Sequence, residues 1–278
     1  MRQDTRVTAE IGEIAAHPAP LTDWETAGAG VSIGALDHAY GELRTIERLD
    51  LEVEPHGVVG LVGPSGCGKS TLLELVCGLR EPSAGTVAVG GSDGATERLR
   101  RCAYMPQRDL LLPWYSAIDN AALALRNRGL RRAAARRQAA ALFERFGLSG
   151  FEASKPAELS GGMRQRVAFL RTLVSGKPVL ALDEPFASLD AITRAEMQEW
   201  LAGALRADPR TVVLVSHDVE EALYLSDRVA VLSARPARIV AELRAPAPRA
   251  LDRDAAVTDL RFVAVREEAM RALHGGMR

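Results

Sequence analysis

Apolar residues fall along this chain mostly in short blocks, separated by glycine, proline and charged turns, and only a few stretches carry a helical period. Residues 31–54 favour two short strands around Tyr40-Gly41, with in-out alternation over 46–53. An antiparallel edge is predicted there, ahead of the apolar run 58–62. A glycine-rich segment follows, and then a helix-like segment over 71–79. The turn 81–85 leads into 86–89 and Gly90-Gly91, where a second strand pair is predicted. Another strand is read over 101–105, ending at Pro106-Gln107. From 107 to 159 the composition shifts to Ala, Arg and Leu, with helical spacing over 118–125 and 130–146, so this part reads as a helical insertion. A further helix runs to Leu173. The runs 179–182 and 211–215 have the length and branching of buried parallel strands, each leading towards a helix. Late strands over 228–232 and 239–243 flank Arg235-Pro236, and 254–273 reads as one amphipathic closing helix. The expected fold is α/β, with a mixed sheet, an antiparallel β subdomain and a helical subdomain at about 108–172. Residues 1–30 read as a poorly structured extension and 244–278 as a C-terminal one.

Composition narrows the function classes. The chain has 278 residues, 47% hydrophobic and 26% charged, enough to bury a sizeable core. Lys plus Arg number 35 against 36 Asp plus Glu, so no overall field draws the chain onto nucleic acid. Arg131, Arg132, Arg136 and Arg137, interleaved with alanines, read as a solvated helix face rather than a nucleic-acid patch. No stretch approaches the ~20 apolar residues that span a bilayer, so a membrane role calls for separate partner chains. Cys67, Cys77 and Cys102 lack metal-ligand spacing and suit free thiols in a reducing compartment.

Chemistry concentrates at a few motifs. Gly63, Pro64, Ser65, Gly66, Cys67, Gly68, Lys69 and Ser70 fit G-x-x-x-x-G-K-[ST], and Thr71 continues into the helix. A strand feeding such a turn and a helix start aims backbone N–H groups and a positive dipole end at one point, which suits polyphosphate. The three glycines are expected at positive φ, close to the phosphates. Lys69 supplies a mobile charge, and the Ser70 hydroxyl is placed to ligate Mg²⁺. Asp183 and Glu184 end an apolar strand: Asp183 can share that metal, leaving Glu184 to orient or deprotonate a water. Ser160, Gly161 and Gly162 open a second helix with no lysine of its own. They make either a second anion site completed in a dimer or only a capped turn. His217 follows a strand at the sheet's carboxyl edge, where α/β sites gather.

The segment 159–165, from Leu159 through Ser160-Gly161-Gly162 to Gln165, resembles the signature of ATP-binding cassette (ABC) transporter ATPases. The phosphate loop, Gln107, the signature, Asp183-Glu184, Asp190 and His217 stand in that family's order, covering about 31–243. The resemblance implies a phosphate-loop NTPase core and a head-to-tail homodimer that binds ATP and Mg²⁺. It further implies that Gln107 senses the metal and the transporter interface, and that Ser160 and Gly162 bind the partner's ATP. Asp190 would lie at the dimer seam, His217 on the γ-phosphate and Tyr40 against adenine, although Tyr40 reads equally well as core packing. Glu184, His217 and Lys69 are the implied catalytic groups; Ser70, Gln107 and Asp183 are the implied metal set. Residues 109–114, Asp119-Asn120 and 220–228 resemble the nitrate, sulfonate and taurine importer ATPases. Such subunits work at the cytoplasmic face of the membrane with permease chains and a solute-binding protein. Trp114 reads either as permease interface or as packing in its own lobe. The alternatives are import of a pyrimidine vitamin precursor, a soluble cassette acting on DNA or ribosomes, and a nonhydrolytic regulatory cassette.

Overall fold

The structure, a computed structural model, describes residues 28–276, so the expected N-terminal extension lies almost entirely outside the described residues. Strands β1 (Val31–Tyr40) and β2 (Leu43–Val53) pair antiparallel, as their alternation predicts. β4 (Ala84–Val89) takes no new partner of its own: it returns to β1, giving a separate three-stranded sheet ordered β2-β1-β4. The expected second pair is therefore a third strand of the first. Instead of a strand, residues after the Gly90-Gly91 turn form the short helix α2 (Ala95–Arg101).

The main sheet is ordered β5-β6-β7-β3-β8-β9. Its members are β3 (Val58–Val62), β5 (Cys102–Met105), β6 (Val179–Asp183), β7 (Thr211–Val215), β8 (Arg228–Leu232) and β9 (Ile239–Arg244). Only β9 runs antiparallel to its neighbour. β3, β6 and β7 are buried at every position. Their side chains still alternate between two cores: Val58, Leu180, Val212 and Leu214 join one, while Val59, Ala181, Val213 and Val215 join the other. Period two with both faces covered explains why these runs read as continuously apolar.

One core holds α1 (Lys69–Val76), which packs between the two sheets. The other holds the helical subdomain, with α3 (Ala117–Ala121), α4 (Leu123–Asn127), α5 (Arg132–Ala140) and α6 (Gly161–Leu173). It also includes α7 (Ala191–Ala207) and α8 (Val219–Leu225). Arg132 and Arg136 both turn to buried Asp119, at 2.6 and 3.7 Å, while their own side chains stay on the solvated face. The closing helix is two helices, α9 (Arg253–Thr258) and α10 (Leu260–Gly276). Asp259, extended at ψ 134°, breaks the run and accepts a hydrogen bond from the Arg261 N–H at 2.8 Å. All three cysteines are free and buried.

The parallel strands point their carboxyl ends the same way. β3 therefore delivers Gly63, β5 delivers Gln107, β6 delivers Asp183-Glu184 and β7 delivers His217 to one edge of the sheet.

Candidate functional site

At the end of β3, Gly68 occupies the N-cap of α1 at φ 125° and no side chain caps the helix. Its leading N–H groups consequently face outward without an intrahelical acceptor. Gly66, at φ 74°, also needs the left-handed region. Gly63 corrects the expectation, because it is not among the positive-φ glycines. A Cβ there would stand 3.0 Å from Leu232 Cβ and 3.1 Å from Cys67 Sγ, so close packing is what requires glycine. Lys69 is largely buried and its Nζ donates to the carbonyls of Gly63 (2.7 Å) and Pro64 (3.0 Å). Burial pushes the Cys67 thiol up, leaving it a poor nucleophile beside the loop.

The loop borders a cleft of about 380 Å³ walled by Tyr40, Ser65, Lys69, Ser70, Thr71, Gln107 and Glu184. Thr45 and Arg235 complete it without belonging to any motif. The Tyr40 hydroxyl lies 3.2 Å from Thr71 Oγ1, and His38 packs edge-on to the Tyr40 ring at 4.9 Å. Tyr40 is therefore a wall of the cleft and half-exposed, rather than core.

Asp183 is buried at the end of β6. Burial pushes its carboxyl up, whereas a hydrogen bond with Ser70 and the charge of Lys69 pull it back. Tyr104 on β5, another residue outside the motifs, has its phenol pushed up by burial and by the Asp183 charge. Glu184 sits at φ 50°, a conformation that costs a non-glycine residue about 1–3 kcal/mol and gathers at functional sites. Its N–H donates to Val215 O at 2.9 Å. Its Oε2 accepts from Gln107 Nε2 at 3.0 Å and lies 3.5 Å from His217 Nδ1. Gln107, Glu184 and His217, far apart in sequence, thus converge on one oxygen. Behind His217, the Ser216 hydroxyl accepts from the Asp218 N–H (2.9 Å), and buried Glu221 accepts from Gln198 Nε2 (2.9 Å). Burial pushes the Glu221 carboxyl up to about 7, against the pull of Ser216 and Gln198.

The signature forms a second group. Ser160 caps α6, its hydroxyl accepting from the Met163 N–H at 3.2 Å. A Cβ on Gly162 would lie 3.5 Å from Leu189 Cδ2 and 3.6 Å from Ser188 O, so the helix start adjoins the turn before Asp190. Asp190 caps α7, and hydrogen bonding from Thr193 holds its carboxyl down. Ser160, Gly161, Gly162 and Asp190 do not line the phosphate-loop cleft, and Gln165 is buried within α6. Arginines of α6 reach back to the segment after Gln107: Arg164 Nε donates to Asp109 Oδ2 (3.0 Å), and Arg171 to the carbonyls of Asp109 (2.8 Å) and Leu110 (2.9 Å). Just beyond, Leu110 and Trp114 are 57% and 65% exposed, so Trp114 is not packed in its own lobe.

Known proteins share this fold. A structure of a dimeric ATP-binding cassette in a post-hydrolysis state, bound to ADP and Pi, superposes with a TM-score of 0.71 at 26% identity, covering 77% of this chain and 98% of that one. The aliphatic sulfonates import ATP-binding protein of Rhodococcus jostii is 43% identical over 245 residues, 88% of this chain and 93% of its own length. The formylaminopyrimidine import ATP-binding protein of Halalkalibacterium halodurans is 43% identical over 201 residues, 72% of this chain and 78% of its own length. Residues 46–187, which hold the phosphate loop, the signature and the Asp183-Glu184 strand end, match the family model described as ABC transporter, and the chain belongs to that family.

Proposed function

We propose that this chain is the ATP-hydrolysing subunit of an ABC importer and works as a head-to-tail homodimer beneath separate permease chains. No helix among the described residues is long and apolar enough to cross a membrane, so the route for the solute belongs to those partners. The observation that carries the reading is the meeting of Gln107 and His217 on Glu184, next to Lys69 and an uncapped helix start. Lys69 and the N–H groups of the loop hold the β- and γ-phosphates. Glu184 orients and deprotonates the attacking water, and His217 steadies the γ-phosphate. Tyr40 offers its ring to adenine.

Ser70, Asp183 and Gln107 fit Mg²⁺. Asp183 is a carboxylate buried against a hydroxyl, with its charge only partly compensated, and Mg²⁺ usually takes one or two carboxylates besides phosphate oxygens. When bound, the ion neutralises phosphate charge. Ser160, Gly162 and Asp190 of one subunit close on the nucleotide of the other. The exposed Leu110 and Trp114 receive a helix of the permease, placing the subunit at the cytoplasmic face. A solute-binding protein supplies the permease from the far side. The solute is a small one of the nitrate, sulfonate or taurine type, and the relatives named for aliphatic sulfonates and taurine support the last two; the relative named for formylaminopyrimidine supports the second candidate.

Glu184→Gln tests the core of this reading. ATP binding should persist, steady phosphate release should fall by about 10²–10⁴, and dimers should accumulate with ATP on gel filtration. Unchanged hydrolysis overturns it. Uptake assays of the complex with its permease, using taurine and a pyrimidine precursor, separate the two solutes.

A further inference from the structure

The turn between β8 and β9 brings Arg235 to the phosphate loop, although 169 residues separate it from Gly66. Arg235 Nε and Nη2 both donate to the Gly66 carbonyl, at 3.0 and 2.6 Å. The turn itself is well anchored. Ala237 exchanges backbone hydrogen bonds with β2, its N–H donating to Thr45 O (2.8 Å) and its carbonyl accepting from the Glu47 N–H (3.1 Å). Ala234 N–H donates to Gly276 O at the end of α10 (2.8 Å).

Two arginines of this turn make a useful contrast. Arg238 pairs with Glu47 at 2.8 Å, so its charge is compensated. Arg235 forms no carboxylate pair among the described residues and lines the cleft beside Ser65 and Lys69. An uncompensated guanidinium held on a carbonyl leaves standing positive charge where polyphosphate would lie. The carbonyl it holds belongs to the Gly66–Cys67 peptide. In a trans peptide the N–H points opposite to the C=O, so gripping the Gly66 oxygen also fixes the direction of the Cys67 N–H, which closes the loop on the Pro64 carbonyl at 3.3 Å. A charged donor on the oxygen polarises the amide and strengthens that bond to Pro64, so the turn holds its shape around the helix start that follows.

We propose that Arg235 is a positioning residue of the nucleotide site: it locks the Gly66–Cys67 peptide so that the loop presents its N–H groups to the phosphates, and it adds a fixed charge to the cleft. This rests on the reading of the cleft as the ATP site. The effect falls on ground-state affinity for any nucleotide carrying a β-phosphate, because the loop grips ADP and ATP alike.

The experiment measures Kd for ATP, ADP and AMP by displacement of a fluorescent nucleotide, together with the Tm of the nucleotide-free protein, in the unaltered chain and in Arg235→Ala, Arg235→Lys and Lys69→Ala. For Arg235→Ala the expected result is about a tenfold weaker Kd for both ATP and ADP, equivalent to the loss of one charged hydrogen bond, with AMP affinity little changed. Arg235→Lys should recover part of the loss, since one ammonium can replace one of the two donors. If Arg235→Ala does not fold, the smaller loss in Arg235→Lys carries the test. Unchanged ATP and ADP affinity in the Arg235 variants, with or without a lower Tm, would leave the residue a structural brace and overturn the proposal. If Lys69→Ala also binds ATP normally, the assignment of the cleft itself has failed; if only Lys69→Ala loses affinity, the failure is confined to Arg235.

Discussion

The two glycine-fronted helices of this molecule start in opposite ways. α1 has Gly68 at its N-cap and no side chain on its leading N–H groups, while Ser160 caps α6 and already engages the Met163 N–H. An uncapped start costs stability unless something else accepts those hydrogen bonds, and here Lys69 stands ready to bring an anion there. A capped start is stable by itself and has less to offer a ligand. Under the proposed function the contrast divides the work: α1 holds phosphate within one subunit, whereas α6 completes a site that another subunit has filled.

The sharpest way to break this contrast is Lys69→Ala. Loss of the charged contact should weaken ATP binding about a hundredfold, measured by equilibrium displacement, with no dependence on protein concentration. Gly162→Ala should behave differently. Its Cβ would meet neighbours at ordinary van der Waals distance within the subunit, so folding and ATP affinity at low protein concentration should be kept. Turnover at concentrations that favour dimers should drop about tenfold, from overpacking against the partner's nucleotide. Equal loss of binding in both variants would erase the distinction between the helices. Ser160→Ala should cost about 1 kcal/mol in denaturant unfolding as the cap is lost, with a few-fold fall in turnover. The smallest effect on turnover is expected behind His217. Glu221 is protonated more readily in the folded protein, its carboxyl pushed up to about 7 from 4.5. Its contribution is full below about pH 4.5 and is lost as pH rises to about 7. Glu221→Gln should flatten that slope between pH 5 and 8; parallel stability profiles would refute it.

The sequence carried the phosphate loop, the Asp183-Glu184 strand end and the buried strands clearly, because each depends on local pattern or on spacing within one motif. Strand periodicity even survived full burial, since alternate residues of β3, β6 and β7 serve two different cores. What was not legible depends on the far side of the fold. Arg235 and Tyr104 enter the site through sheet order, and no motif near them announces it. β4 looked like the start of a new pair because its partner, β1, lies on the other side of the phosphate loop in the chain. α2, seven residues rich in charge, is too short to show a period. The break at Asp259 was masked because an aspartate that caps a new helix also suits the polar face of a continuous one. Gly63 shows a subtler limit: the residue type was right for the site, but crowding by Leu232 supplies the reason that backbone freedom was expected to give.

Arg164 and Arg171 fasten the strip at Asp109 and Leu110 to α6 from two sides. Tiller and rudder on one shaft turn together: under the proposed function, a push delivered beside Trp114 would reach α6 through these two ties rather than through the nucleotide cleft.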